Sequence, residues 1–256
     1  MAVNSRSVSS PFRNTIAYGP ADQQFGTLYT PVRDGPYPAA IVIHGGFWRS
    51  RYDLGHTGYL CLTLARLGIA AWNLEYRRVG NGGGWPQTCD DVVCGALHLL
   101  SLPFAAWCNV DPNRLIAIGH SAGGQLALWL AKQPALRLRG VVSLAPITDL
   151  RQAWALSLSG NAVADFLGGA PDEVGCRYAA ASPVDLVPIG VRHLLVHGDA
   201  DNVVPISMSH DYVSAARHQG DDCAMLALRS AGHLDLINPR STVWTQVQDS
   251  IMSLLE

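Results

Sequence analysis

The chain has 256 residues, enough for one large α/β domain with a substantial buried core. Its 48% hydrophobic and 15% charged residues exclude intrinsic disorder, and a net charge of −2 without blocks of like charge gives no basis for binding nucleic acid or an anionic membrane surface. Residues 1–10 lack an apolar core, so we expect neither a signal peptide nor a transit helix, and no apolar run is long enough to span a bilayer.

The first part of the chain predicts an exposed segment followed by two strands. Residues 1–24 are polar and interrupted by proline and glycine, and we expect a surface lead-in. Residues 24–31 alternate weakly and end at a proline, as an edge strand does. Residues 39–44 form an apolar run typical of a strand buried on both faces, and the sequence H-G-G-F-W follows at 44–48. Taken alone, these glycines fit a simple turn as well as an oxyanion hole, in which backbone amides approach a ligand closely.

The next section predicts helix, strand, loop and helix. Residues 60–67 carry apolar side chains at helical spacing, and residues 69–76 form the following strand. Residues 77–86 are a long glycine-rich loop, which we expect to lie near the site. A helix is predicted over 88–102 and a turn over 111–114.

The pattern Gly119-His120-Ser121-Ala122-Gly123 lies between an apolar run that begins at Leu115 and a helical stretch at 125–132. This is the strand–turn–helix context of a nucleophile elbow. A serine on so tight a turn has a strained backbone, and the glycines two residues away on either side let the chain reverse. The amides at the start of the helix point toward any negative charge that develops at the serine.

The rest of the chain continues to alternate strands and helices. We predict strands at 140–145, 192–197 and 224–229, and helices at 207–218 and 242–255. The irregular section 146–188 predicts short helices over the pocket and is too short for a large cap domain. With 77–88, it is where we expect the walls of the substrate pocket. The alternation predicts an α/β fold, a mostly parallel sheet with helices on both faces.

Three residues that can act together each follow a predicted strand: Ser121, Asp201 and His233. The carboxyl ends of parallel strands share one sheet edge, so we expect these side chains to meet there. In a Ser–His–Asp arrangement the serine attacks a carbonyl, the histidine moves the proton, and the carboxylate fixes the histidine tautomer. Asp199 and Asp149 are the competing positions for the acid.

The motifs resemble those of α/β-hydrolase-fold serine hydrolases, from about Phe25 onward. H-G-D-A-D-N-V-V-P at 197–205 is similar to the catalytic domain of prolyl-oligopeptidase-like (S9-type) enzymes, and H-G-G-F-W at 44–48 is similar to arylformamidases and small carboxylesterases. The resemblance implies that Ser121 is the nucleophile, His233 the general base and Asp201 the acid.

The resemblance also places the oxyanion donors at the amides of Ala122 and of Gly46 or Phe47. It makes residues 25–256 a single catalytic domain that hydrolyses small carboxylic esters through an acyl-enzyme. An arylformamidase acting on N-formylkynurenine, an S9-like peptidase and a non-catalytic binding module stay as alternatives. We hold Trp48 and Trp85 as candidates for the substrate pocket, against a packing role.

We expect no metal and no cofactor, a small-molecule ester or amide as substrate, and no nucleic-acid or membrane partner. The sequence leaves the oligomeric state open. The six cysteines have no metal-ligand spacing, and they predict reduced thiols in a cytoplasmic protein, with a secreted form as the alternative. They are Cys61, Cys89, Cys94, Cys108, Cys176 and Cys223.

Overall fold

A computed structural model of the chain describes residues 11–32, 34–102 and 109–256. Within these ranges eight strands form one sheet, in the order β1-β2-β4-β3-β5-β6-β7-β8. The strands are β1 (Phe12–Ala17), β2 (Phe25–Thr30), β3 (Tyr37–Ile43), β4 (Ala70–Leu74), β5 (Val110–His120), β6 (Gly140–Leu144), β7 (Arg192–Gly198) and β8 (Cys223–Leu228). The pairs β1–β2 and β2–β4 are antiparallel and the other five are parallel. The predicted mostly parallel sheet is confirmed.

Helices cover both faces of the sheet. They are α1 (Gly58–Arg66), α2 (Gln87–Ser101), α3 (Ala122–Ala131), α4 (Leu150–Ala155), α5 (Ala162–Leu167), α6 (Gly175–Ala181), α7 (Ile206–His218) and α8 (Trp244–Met252). Successive side chains of β3 point to opposite faces of the sheet and pack in two different cores. Ile41 packs in the core that holds α2, α3 and α7, and Val42 packs in the core that holds α1 and α8. A strand buried on both faces reads as a continuous apolar run, which is why β3 was predictable.

The N-terminal segment differs from the prediction. Residues 12–17, which we expected to belong to an irregular surface lead-in, form strand β1 at the sheet edge, antiparallel to β2 with Phe12 opposite Thr30. The strand is exposed or half-buried throughout, so its sequence carries little apolar signal. Its pairing with β2 supplies the order that the local sequence does not predict. Residues 1–10 of the lead-in, and Cys108, lie outside the described residues.

The turn predicted at 111–114 is part of β5. The β3–β5 register shifts between the pairs Tyr37–Val110 and Ala39–Leu115, so these residues bulge out of the ladder. Asp111 Oδ1 accepts from the Asn113 amide at 2.9 Å, a side-chain-to-backbone hydrogen bond typical of a turn. The turn chemistry is therefore present, but inside a strand.

The segment between β6 and β7 holds the expected short helices. In this described stretch α4 and α5 have six residues each and α6 has seven. The loop at 77–86 packs against them, because the Trp85 amide donates to the Phe166 carbonyl oxygen at 2.7 Å. Among the described residues no helix has the length and apolarity needed to cross a membrane.

Candidate active site

Ser121 lies at the junction of β5 and α3 with φ 58° and ψ −121°. That backbone conformation is strained for a residue with a side chain. The chain reverses so closely that a Cβ on Gly119 would lie 2.0 Å from the Gly123 carbonyl oxygen, and one on Gly123 would lie 2.2 Å from the Ile43 carbonyl oxygen. The glycines of the predicted elbow are therefore required by its packing.

Asp201 and His233, which lie on the loops after β7 and β8, are hydrogen-bonded. His233 Nδ1 is 2.6 Å from Asp201 Oδ2, and Oδ1 of the same carboxylate accepts from the amides of Val203 and Val204 at 2.8 and 2.9 Å. A carboxylate at Nδ1 leaves Nε2 as the ring nitrogen that can take up a proton. His233 and Ser121 line the same cavity.

A second histidine contacts the same carboxylate. His197 Nε2 lies 3.3 Å from Asp201 Oδ2, and its Nδ1 lies 2.7 Å from the Ser209 hydroxyl. Burial acts to raise the pKa of the Asp201 carboxyl, but hydrogen bonds from His197 and His233 outweigh it and hold that pKa well below its ordinary value. Asp201 is therefore a buried, ionised carboxylate with four donors around it.

The competing aspartates have local structural contacts instead. Asp199 Oδ1 accepts from the Ser230 amide at 2.6 Å. Asp149 caps α4 by accepting from the amides of Arg151 and Gln152. Neither contact involves His233, so the geometry favours Asp201 as its partner.

The predicted oxyanion loop has three successive residues with positive φ: Gly46 at 111°, Phe47 at 51° and Trp48 at 54°. The Gly46 carbonyl oxygen accepts from the Arg49 amide at 3.1 Å, which closes the loop as a tight turn. Ala122 is the first residue of α3, where helix amides have no acceptor within the helix. Gly46 and Phe47 line the cavity beside Ser121.

A buried polar cluster supports this loop from behind. His44 Nδ1 lies 2.8 Å from the Gly45 carbonyl oxygen, and its Nε2 lies 3.1 Å from Arg78 Nη1 and 3.0 Å from Glu75 Oε1. Arg78 also contacts Glu75, and Tyr76 stacks on the His44 ring. The sequence gave no indication of Glu75, Tyr76 or Arg78 as part of the site, because residues 75–78 carry no motif.

The cavity beside Ser121 has a volume of about 210 Å³. Five of its lining residues were not predicted as part of a pocket: Tyr52, His56, His120, Val203 and Leu234. Within the described part of the chain, residues 77–88 and 146–188 contribute nothing to this lining, contrary to expectation. The walls come instead from the segment directly after the oxyanion loop and from the loops that carry Asp201 and His233.

The two tryptophans considered for the pocket lie elsewhere. Trp48 is fully buried, stacks on Phe166 with ring centroids 4.6 Å apart, and donates to Gln125 Oε1 at 3.0 Å. Trp85 packs edge-on against Trp129 at 6.0 Å. Each ring packs against other aromatic rings, and neither residue is among those that line the cavity beside Ser121. The described residues contain no group of three or more His, Cys, Asp or Glu side chains placed to hold a metal ion.

Comparison with known proteins gives relatives named as esterases. "Esterase FrsA" of Escherichia coli O157:H7 is 31% identical over 125 residues, which are 48% of this chain and 28% of that one. The match thus spans little more than a quarter of the FrsA chain.

Solved structures show the same fold. A bacterial heroin esterase superposes with a TM-score of 0.79 at 18% identity, covering 99% of this chain and 87% of that one. An esterase from Thermogutta terrifontis with propionate bound gives 0.72 at 21% identity, covering 94% and 91%. The predicted α/β-hydrolase fold is confirmed. The model of the prolyl oligopeptidase family matches residues 52–252, and the chain therefore belongs to that family.

Proposed function

We propose that the chain is a carboxylesterase that cleaves small carboxylic esters with Ser121 as nucleophile, His233 as general base and Asp201 as the acid. One observation carries the proposal. His233 is held at Nδ1 by Asp201 Oδ2 at 2.6 Å while it lines the same cavity as the strained Ser121. That arrangement has the parts needed to make a serine nucleophilic at neutral pH.

The reaction proceeds in two halves. Ser121 Oγ attacks the ester carbonyl carbon while His233 Nε2 takes the hydroxyl proton, and the tetrahedral oxyanion accepts hydrogen bonds from the amides of Ala122 and of Gly46 or Phe47. The intermediate collapses, His233 returns the proton to the departing alcohol, and the acyl group stays on Ser121. Water then attacks the acyl-enzyme while His233 Nε2 takes its proton, the bond between the acyl carbon and Ser121 Oγ breaks, and His233 returns the proton to Oγ as the carboxylic acid product leaves.

Several observations favour esters with small acyl groups. The cavity of about 210 Å³ is small, and Phe47, Val203 and Leu234 make part of its lining apolar. The Thermogutta terrifontis neighbour holds propionate, and the FrsA relatives are named esterases. Membership of the prolyl oligopeptidase family supports peptide hydrolysis as a second candidate. The H-G-G-F-W sequence supports formamide hydrolysis only through the resemblance.

The test is a turnover assay on p-nitrophenyl acetate, butyrate and octanoate, on N-formylkynurenine and on a prolyl peptide p-nitroanilide. Ser121→Ala serves as the blank, and Ser214→Ala, which removes an exposed hydroxyl on α7, is the matched control. We expect fast cleavage of acetate and butyrate that only Ser121→Ala abolishes. Faster turnover of the formamide or the anilide would replace the ester assignment. If the folded protein turned over none of these substrates, the non-catalytic binding module would become the favoured alternative.

The proposal includes a cytoplasmic, metal-independent enzyme. Five cysteines are free in the described residues: Cys61, Cys89, Cys94, Cys176 and Cys223. The scheme uses only side chains and backbone amides, so we expect activity to survive EDTA dialysis. Cell fractionation that placed the protein in a secreted fraction would contradict the location.

A further inference from the structure

We propose that Arg78, which Glu75 holds in place, is a positioning residue for the oxyanion hole, and that it acts by fixing the tautomer of His44, which in turn orients the Gly45–Gly46 peptide. This inference rests on the proposed esterase function for its catalytic readout. Neither residue lines the cavity, and neither belongs to a motif of the sequence.

The first step concerns the direction of one peptide unit. His44 Nδ1 lies 2.8 Å from the Gly45 carbonyl oxygen, and a carbonyl oxygen only accepts, so Nδ1 carries the hydrogen. That oxygen belongs to the same planar unit as the Gly46 amide, and in a trans peptide the C=O and N–H point in opposite directions. Holding the oxygen toward His44 therefore turns the Gly46 N–H away from it.

The nucleophile lies close to this peptide unit. A Cβ on Gly45 would lie 2.9 Å from Ser121 Cβ, so this unit passes directly beside the elbow. Gly46 lines the cavity together with Ser121. The position of the Gly46 donor thus depends on whether His44 has its hydrogen on Nδ1.

The second step concerns what keeps the hydrogen on Nδ1. Arg78 Nη1 lies 3.1 Å from His44 Nε2, and a guanidinium only donates, so this contact favours the tautomer in which Nε2 presents its lone pair. Burial, followed by the charge of Arg78, lowers the pKa of His44 to about 3, so the ring is neutral and carries one hydrogen. Glu75 Oε1 lies 3.0 Å from the same Nε2 and would attract the hydrogen there if Arg78 were absent. Arg78 therefore selects the tautomer.

The third step concerns rigidity. Glu75 holds Arg78 through their direct contact, and its Oε2 accepts from the Leu54 amide at 3.0 Å. Tyr76 donates its hydroxyl to the His44 carbonyl oxygen at 2.7 Å and stacks on the ring with centroids 4.4 Å apart. The side chains of His44, Glu75 and Arg78 are at most 4% exposed. Burying an ion pair carries a desolvation cost. A role in orienting the loop therefore explains the buried Glu75–Arg78 pair better than a contribution to folding stability does.

The test compares Arg78→Met with Arg77→Met. Arg77 makes two hydrogen bonds to the buried carboxylate of Asp91, at 2.7 and 2.8 Å, and does not contact His44. Arg77→Met therefore also breaks an ion pair with a buried carboxylate, but it leaves the tautomer of His44 unchanged. We expect Arg78→Met to lower kcat on p-nitrophenyl acetate by about 10²-fold, toward the loss seen when one oxyanion donor is removed, with KM little changed. Arg77→Met should lower the melting temperature and leave kcat per titrated active site unchanged.

A rescue separates the tautomer from general damage. Asparagine has a side-chain NH₂ near the place of histidine Nδ1 and needs no partner to decide its tautomer. His44→Asn introduced into the Arg78→Met variant should therefore recover part of the lost kcat. Equal kcat losses in Arg78→Met and Arg77→Met, or no recovery with asparagine, would overturn the positioning role.

A second measurement does not depend on turnover. The ¹⁵N chemical shifts of His44, assigned by their disappearance in His44→Asn, report which ring nitrogen carries the hydrogen. We expect Nδ1–H in the wild-type protein and Nε2–H, directed at Glu75, in Arg78→Met. A wild-type ring with its hydrogen on Nε2 would refute the inference even if the protein hydrolyses esters. If the chemical shifts were as expected but no ester were hydrolysed, the proposed function would be refuted, and the inference that Arg78 determines the tautomer of His44 would still hold.

Discussion

The ring nitrogen Nε2 of His120 lies 2.9 Å from the main-chain carbonyl oxygen of His233, and the two rings are 4.5 Å apart. His120 occupies the variable position of the elbow, directly before Ser121. It therefore links the turn that carries Ser121 to the loop that carries His233. Since a carbonyl oxygen only accepts, Nε2 is the protonated nitrogen of His120.

Replacing His120 by alanine should lower kcat about tenfold, because losing one hydrogen bond of roughly 1.4 kcal/mol loosens the loop that positions the base. His120→Gln, whose side-chain NH₂ can reach the same oxygen, should retain more activity. Steady-state kinetics on p-nitrophenyl acetate measure both variants, and exposed His218→Ala serves as the control. A wild-type kcat in His120→Ala would show that the link has no role in catalysis.

The choice of acid makes a sharper prediction. Asp201→Asn should lower kcat by about 10⁴-fold, because an amide at this place no longer stabilises the His233 imidazolium or its tautomer. Asp199→Asn and Asp149→Asn remove the charge of the two competing carboxylates, which make local contacts only. The side chain introduced by Asp149→Asn can still cap α4, because asparagine is a good N-cap residue.

We expect both of these variants to keep kcat within about fivefold of wild type, since a structural hydrogen bond of about 1 kcal/mol is the most that each loses. The same p-nitrophenyl acetate assay ranks the three aspartates, with circular dichroism to confirm folding. A large loss in Asp149→Asn together with an active Asp201→Asn would move the acid to the loop after β6.

Local signals predicted the parts of the molecule that depend on nearby residues. The buried strands were predictable because their apolar runs are short and continuous, as in β3. The elbow was predictable because its geometry excludes a Cβ at Gly119 and Gly123. The loops after β7 and β8 follow from the alternation of elements, and this placed Asp201 and His233 at one sheet edge.

The features that the sequence did not predict depend on contacts between residues that are far apart in the chain. Arg78 and His44 are 34 residues apart, and only the parallel pairing of β3 with β4 brings the ends of these strands together. The cavity walls at Tyr52 and His56 lie on a segment with no pattern of its own. Strand β1 takes its order from its pairing with β2, since its residues are all exposed or half-buried and give little apolar signal.

The elbow glycines give a stability prediction. Gly123→Ala would put its Cβ 2.2 Å from the Ile43 carbonyl oxygen and 2.4 Å from that of His44, both of them backbone atoms that cannot move without disturbing β3. We expect destabilisation of about 3 kcal/mol or more, or no folded protein, because overpacking against backbone is not relieved by a rotamer change. Urea unfolding followed by tryptophan fluorescence measures the difference.

Gly175→Ala is the matched control for this change. Gly175 is the first residue of α6, and a Cβ there has no heavy atom within 4 Å. Alanine should leave stability unchanged or raise it by up to about 1 kcal/mol. Comparable losses at both positions would show that the close contact at Gly123 does not govern the elbow.

Buried histidines predict a loss of stability in mild acid. Burial, then the charge of His233, lowers the pKa of His120 to about 3, and burial with the charge of Arg78 lowers that of His44 to about 3. In the unfolded chain both titrate near 6.5. Between pH 6.5 and 3 the unfolded state therefore binds protons that the folded state does not, so stability is complete above pH 6.5 and falls as the pH decreases.

At pH 5 each of these two histidines should lower the free energy of unfolding by about 2 kcal/mol relative to its value at pH 7.5. Urea titrations at the two pH values measure this difference. The sign is the same for Asp201, whose lowered pKa adds a further loss only at more acidic pH. His120→Gln removes one titrating group, so the drop between the two pH values should shrink by about 2 kcal/mol. His218→Gln, at an exposed position, should leave the drop unchanged. An equal drop in wild type and His120→Gln would mean that His120 is protonated in the folded state at pH 5.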